Sequence, residues 1–202
     1  MPLAADHDEL EVENGFRQFD RCLEMAAFYL DGGHSFALRR SMIDELQREA
    51  VEGIEARAGH LRTTEVRITH SAHVPPGPHL INHLLVEFCD YINNNWHEKT
   101  AFHLAAYAMW RLNWINPYSD GNGRTSRAIS YAILCIKIGY ILPGSPTIPA
   151  QIEEDKTLYI KALEAADGAG AHGADDVSQM EEMIKHMLAR QLMGIIDAAG
   201  RS

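Results

Sequence analysis

A mainly helical, all-α fold is what the sequence predicts, and two observations carry the prediction. Apolar residues recur at helical spacing along most of the chain, from Leu10 and Phe16 to Met187 and Leu188, and only residues 61–73 change to a period of two. Clusters of glycine, proline and asparagine cut the pattern into helix-sized pieces, at Asp31-Gly32-Gly33, Pro75-Pro76-Gly77-Pro78, Asn93-Asn94-Asn95 and Pro143-Gly144-Ser145-Pro146. With 202 residues, 46% of them hydrophobic, the chain can bury one sizeable core.

The first helix is expected over residues 8–30, with Leu10, Phe16, Phe19, Leu23, Ala26 and Ala27 on its apolar face and acidic residues at its start. A second, over 35–58, places Met42, Ile43, Leu46, Ala50 and Ile54 on one stripe, with Gly59 where a C-terminal cap belongs. Together they form a helical hairpin. In 61–73, Val66 and Ile68 alternate with Glu65, Arg67 and Thr69, which predicts a short half-buried strand or hairpin ended by the proline run. Helices over 79–93 and 99–115 follow, the first burying Leu80, Ile81, Leu84, Leu85, Phe88 and Ile92. Past residue 124, Ala128, Ile129, Ala132, Ile133 and Ile136 continue a core helix, and the apolar run 128–142 is too short to span a membrane. A helix over 149–166 starts on Pro149, and Tyr159, Leu163 and Ala166 share one of its faces. Residues 167–176, rich in Gly and Ala, read as a flexible connection. The last amphipathic helix carries Met180, Met183, Ile184, Met187, Leu188 and Ile195.

Lysine and arginine total 18 against 28 acidic residues, a net charge of −10, which argues against a general nucleic-acid or anionic-membrane surface. Cys22, Cys89 and Cys135 fall within apolar helical patterns without paired spacing and read as reduced, buried thiols. The acidic opening, residues 1–13, has no leader pattern, so the cytoplasm is the expected compartment. Among the eleven histidines, His79 and His83 stand at i, i+4, but no carboxylate or cysteine spacing completes a four-ligand metal site.

The rest of the chain is organised around residues 116–127, Asn-Pro-Tyr-Ser-Asp-Gly-Asn-Gly-Arg-Thr-Ser-Arg. Pro117 turns Asn116 away from helical backbone angles, so the arriving helix stops there. Asp120, Gly121, Asn122 and Gly123 form a tight polar turn feeding a new helix N-terminus, where inward N–H groups and the helix dipole suit an anion. Arg124 and Arg127, three residues apart, can reach one polyphosphate, and Asp120 can hold a magnesium ion beside it. A polar capping loop with two solvated arginines is the plain alternative for a bare Asp-Gly-x-Gly.

The stretch resembles the signature of the Fic family, His-Pro-Phe-x-Asp-Gly-Asn-Gly-Arg-x-x-Arg, agreeing at Pro117, Asp120, Gly121, Asn122, Gly123, Arg124 and Arg127. Tyr118 keeps an aromatic ring where the family has Phe, whereas Asn116 replaces its His. The resemblance implies a compact Fic-type helical bundle with one short β-hairpin flap. Its core spans 59–167, with 1–58 as an accessory helical hairpin and 168–202 as link and terminal helix, all one globular unit. It further implies transfer of AMP from ATP to a Ser, Thr or Tyr hydroxyl of a target protein, with Mg2+ on Asp120. Gly121, Asn122 and Gly123 would form the anion hole, and Arg124 and Arg127 would hold the outer phosphates. The order Gly59-x-x-Arg62, Val66-x-Ile68, His73-x-Pro75-Pro76 is similar to the family's flap, which registers the target by strand addition, so Val66, Arg67, Ile68 and Thr69 are docking candidates. Tyr159, in a Tyr-x-x-Ala-Leu-x-x-Ala-Asp run similar to one that borders the nucleotide base in the family, is a candidate for stacking on it; core packing is the alternative. Self-association into a homo-oligomer is compatible with this reading.

In the family the motif His takes the proton of the acceptor hydroxyl. An amide such as Asn116 has no basicity near neutral pH, and a positioned general base is worth roughly 10²–10⁴-fold in rate, so catalysis is expected to be impaired while nucleotide binding persists. The alternative is a non-catalytic nucleotide- or target-binding protein. A phosphotransferase variant is disfavoured, because that branch of the family carries Lys where this chain has Gly123. His70 or His73 could stand in as a base, surface hairpin positions being the plainer reading, and His103 reads as a packed or capping residue. The family's inhibitory segment, Ser/Thr-x-x-x-Glu-Gly/Asn, has only imperfect counterparts here. Glu45 and Glu182 lack the final residue, and Glu13-Asn14 has Glu9 where Ser or Thr belongs. No inhibitory Glu is assigned from the sequence.

Overall fold

Two helices flank the motif and lie at the centre of the molecule. Residues 104–110 of the first and 125–135 of the second are all buried, the mark of helices surrounded on every side. The computed structural model describes residues 4–69, 71–170 and 176–199, with the side chains of 7–69, 71–169 and 176–195. Its elements are α1 (Ala4–Leu30), α2 (Arg40–Val51), a 3-10 turn at Pro78–Leu80, α3 (Ile81–Asn94), α4 (Ala101–Ile115), α5 (Asn122–Ile138), α6 (Ile148–Glu154), α7 (Thr157–Gly170) and α8 (Ser178–Ala199). Helices α4 and α5 pack on each other; α1 and α2 cover α5, while α3 and α8 cover α4. Helices α6 and α7 lean on α8, and residues from α1 through α8 contribute to one hydrophobic core.

Local chemistry sets the helix ends. Thr100 caps α4 by accepting from the His103 N–H, and Gly139 closes α5 in the left-handed region at φ 103°. The second helix is shorter than its periodicity suggests. Residues 35–39 are not helical, because the Asn93 side chain accepts from the Leu38 N–H at 2.7 Å and donates to its carbonyl at 3.0 Å, and Gly53 at φ 74° follows the helix end. The single helix expected over 149–166 is two. Asp155 is extended, and its carboxylate accepts from the Thr157 N–H at 2.9 Å, starting α7 anew.

The expected β-hairpin is absent: no strand occurs among the described residues. The half-buried period is there, with Val66 and Ile68 partly covered and Arg67 and Thr69 exposed. A ladder needs a returning arm that can donate, and the return here runs into Pro75, Pro76 and Pro78, which lack the N–H. The three cysteines are buried and free, and burial pushes the Cys135 thiol up to about 11. No helix among the described residues is long and apolar enough to cross a membrane.

Candidate active site

The chain leaves α4 through an abrupt left-handed cap. Asn116 adopts φ 48° and ψ 62°, its N–H still bonded to the Leu112 carbonyl at 3.0 Å, and it is the one non-glycine residue with positive φ among those described. Asparagine tolerates this region better than most side chains, as does histidine. Tyr118 then plunges into the core, fully buried, and its hydroxyl donates to Asp44 of α2 at 2.8 Å. Burial, and then the Asp44 charge, push its phenol well above the ordinary range.

Asn122 fastens the turn with its side chain. Its Oδ1 accepts from the Tyr118 N–H at 2.9 Å and its Nδ2 donates to the Tyr118 carbonyl at 2.8 Å. Its backbone N–H and the second hydrogen of Nδ2 have no acceptor among the described residues. Gly121 sits at φ 76°, where a Cβ would also lie 2.8 Å from Val51 Cγ1. Gln47 of α2 holds the turn from beneath, donating to the Asp120 carbonyl at 3.0 Å while accepting from the Gly59 N–H at 2.5 Å. The first backbone bond of α5 is Thr125 N–H to Gly121 O at 2.9 Å. The N–H groups of Asn122, Gly123 and Arg124 thus open α5 without an acceptor among the described residues, the arrangement an anion occupies.

These groups line a cleft of about 1490 Å3, larger than the roughly 300–1,000 Å3 of a typical small-molecule pocket. Asn116, Asp120, Arg124, Arg127 and Tyr159 all border it, as do Val66, Arg67, Ile68 and Thr69, so the structure brings every site residue expected from the sequence to one cavity. Val12, Phe16 and Phe19 of α1 add apolar surface to the same cleft.

Both arginines already face carboxylates. Arg124 lies 3.2 Å from Asp120 and 3.6 Å from Glu11. Arg127, with its side chain 9% exposed, lies 2.6 Å from Glu153 of α6, which also holds Lys156 at 2.7 Å. Burial raises the Glu153 carboxyl, but the Lys156 hydrogen bond and the charges of Arg127, Lys156 and Arg124 outweigh it and hold the group below the ordinary carboxylate value. Glu153 escaped the sequence reading, since nothing in a surface Glu-Glu pair signals an arginine partner. The motif-like acids go elsewhere: Glu45 pairs with Arg21 and Glu182 with Lys185, while Glu13 is exposed.

Tyr159 is 5% exposed; its hydroxyl accepts from Asn113 at 2.7 Å, and its ring centre is 6.0 Å from the Arg127 guanidinium carbon. It therefore forms a fixed wall of the cleft. Asn113 also donates to Ser126 Oγ, which in turn donates to the Gly123 carbonyl at 3.0 Å, so α4, α5 and α7 are tied together beneath the turn. Asp120 is half exposed at the lip, and no group of three or more potential metal ligands occurs among the described residues. A divalent ion here fits only as part of a metal–phosphate complex, with one carboxylate from the protein and oxygens from phosphate and water. Of the histidines, His73 is engaged through Nε2 with the Trp114 carbonyl at 2.8 Å, and His103 bridges Tyr91 and Glu181. His70 lies outside the described residues.

Residues 37–134 match the Fic/DOC family. The chain carries a Fic/DOC domain. The matched span takes in α2, whose Asp44 and Gln47 support the motif turn. The chain is 28% identical over 142 residues to a protein adenylyltransferase Fic of Aedes aegypti, covering 68% of this chain and 27% of that protein, and thus spans under a third of that relative's length. Two solved structures share the Fic fold. Residues 134–508 of Fic-1 from C. elegans superpose at a TM-score of 0.69 with 22% identity, covering 94% of this chain and 52% of that one. A Fic domain-containing signaling protein from Bacteroides thetaiotaomicron gives 0.73 with 18% identity, covering 96% and 73%.

Proposed function

We propose that this Fic domain is a nucleotidyl-transfer scaffold, built to move AMP from ATP to a Ser, Thr or Tyr hydroxyl of a target protein and impaired in that reaction by Asn116. The observation that carries the reading is the open α5 N-terminus, where three free N–H groups, Arg124 and Arg127 meet in the cleft that Asn116 borders. Phosphates bind to the N–H groups of Asn122, Gly123 and Arg124, and the two guanidinium groups neutralise the outer phosphates. Asp120 holds Mg2+, which supplies charge neutralisation on the phosphates. Tyr159 walls the nucleotide pocket, and residues 66–69 receive the target segment.

In the transfer, the acceptor oxygen forms a bond to the α-phosphorus while the bond to the pyrophosphate oxygen breaks. The hydroxyl proton must leave, and residue 116 is where a base would take it. Asn116 cannot, so its side chain is the missing part. A non-catalytic nucleotide- or target-binding role is the second reading, favoured by that same residue.

Asn116→His separates the two. Histidine is among the residues enriched in the left-handed region, so the variant should keep the backbone and transfer labelled AMP to protein hydroxyls, with loss on adding Arg124→Ala. Equal labelling by the unmodified chain points to another base, His70 or His73 first. No labelling by folded Asn116→His, on itself or in a lysate of its source, selects the non-catalytic reading.

A further inference from the structure

Arg62 is 2% exposed and has no carboxylate within ion-pair distance among the described residues. A buried cation needs compensation, and here backbone carbonyls supply it. Nε donates to Asn116 O at 2.7 Å, one terminal nitrogen to Thr64 O at 2.9 Å and the other to Pro76 O at 2.6 Å. The backbone N–H of Arg62 adds a fourth bond, to Pro117 O at 2.9 Å. A planar guanidinium presents its donors in a fixed fork, so the directions of the acceptor groups are set together.

The acceptors are not a random set. Thr64 and Pro76 are the two ends of the segment that lines the cleft through Val66, Arg67, Ile68 and Thr69. That segment has no ladder. Between its ends, the hydrogen bonds among the described residues are Ser71 N–H to Ile68 O, His73 N–H to Ser71 Oγ, and the His73 ring to Trp114 O. The remaining acceptor belongs to Asn116, held at φ 48° in a region where a non-glycine residue persists only if its surroundings fix it.

We propose that Arg62 is a positioning residue that locks the 64–76 segment and the residue-116 peptide into one unit, so that a target laid along the segment arrives with its hydroxyl in register with residue 116. The register rests on the function proposed above; the lock itself does not. A strand pair would order such a segment through many ladder bonds, and in its absence one buried fork performs that task. The fork simultaneously points the residue-116 peptide.

Two variants test it: Arg62→Met keeps the stem without the fork, and Arg62→Lys keeps the charge without the planar donors. In the otherwise unmodified chain, residue-resolved hydrogen exchange should accelerate by about tenfold or more at the hydrogen-bonded amides of Ser71, His73 and Asn116, while Ala108 and Ile133 stay protected. Exchange unchanged at Ser71, His73 and Asn116 in Arg62→Lys overturns the lock, even if Arg62→Met fails to fold. In the Asn116→His background, kcat for AMP transfer to a protein acceptor should fall roughly a hundredfold, the scale expected of a small misplacement, with the KM for ATP unchanged. Undiminished transfer, or an equal loss of ATP affinity, overturns the positioning role. If Asn116→His transfers nothing with Arg62 intact, the functional reading has failed and the exchange result alone decides the lock.

Discussion

Replacing Glu153 by glutamine asks whether nucleotide and protein compete for one guanidinium. Arg127 is 2.6 Å from Glu153, with their side chains 9% and 57% exposed, and the same carboxylate also holds Lys156. Because one partner is open to solvent, the pair is worth no more than the upper part of the surface range, about 1 kcal/mol. A phosphate that takes Arg127 forgoes this, so Glu153→Gln should tighten ATP–Mg2+ by about fivefold, given that 1.4 kcal/mol is a factor of ten. Glutamine keeps the length of the side chain, so the packing of Gln151 and Ile152 on α6 is left alone.

Calorimetry on the parent and Glu153→Gln, each also with Arg127→Ala, provides the assay. Most of the gain should vanish in the Arg127→Ala background and shrink at high salt. An unchanged affinity, or the full gain without Arg127, refutes the competition. Stability should move the opposite way. The Glu153 carboxyl is held below its ordinary value in the folded state, so its contribution is complete above the unfolded value of 4.5 and is lost as pH falls through the folded one. Glu153→Gln should therefore unfold at a lower temperature than the parent at neutral pH, the difference closing in acid.

Arg124→Ala should weaken ATP–Mg2+ binding roughly 10- to 100-fold by calorimetry, the loss of a charge-assisted contact of about 1.5–3 kcal/mol; unchanged binding places the anion elsewhere. Gly121→Ala forces a Cβ into the left-handed region and to within 2.8 Å of Val51 Cγ1, and urea unfolding should show a loss of about 1–3 kcal/mol without a change in slope.

The motif could be read from the sequence because its parts are contiguous: one turn, one helix N-terminus and two arginines on the first turns of α5. What holds the motif comes from far along the chain and carries no local pattern. Gln47 stands beside the apolar stripe of α2, Asn113 is one polar residue on a buried helix, and Arg62 stands out in the sequence only through the flap resemblance; their roles exist only once helices are packed. The flap shows the limit from the other side. A period of two reports half-burial, which Val66 and Ile68 have, whereas a ladder also requires a donor-bearing partner, which the proline run withholds.

Asn122 is first of all a turn-forming residue. Its side chain bridges the N–H and the carbonyl of Tyr118, and its backbone N–H joins the row at the start of α5 as that of any residue there would. The choice of asparagine is thus explained by the shape of the turn, and the open N–H groups at the start of α5 are a product of that shape. The arginines follow the same logic in charge. In a chain of net charge −10, Glu11 and Asp120 face Arg124, and Glu153 faces Arg127. Phosphate binding as proposed would therefore exchange one set of oxygens for another, and carboxylates of α1 and α6 would take part in setting its strength.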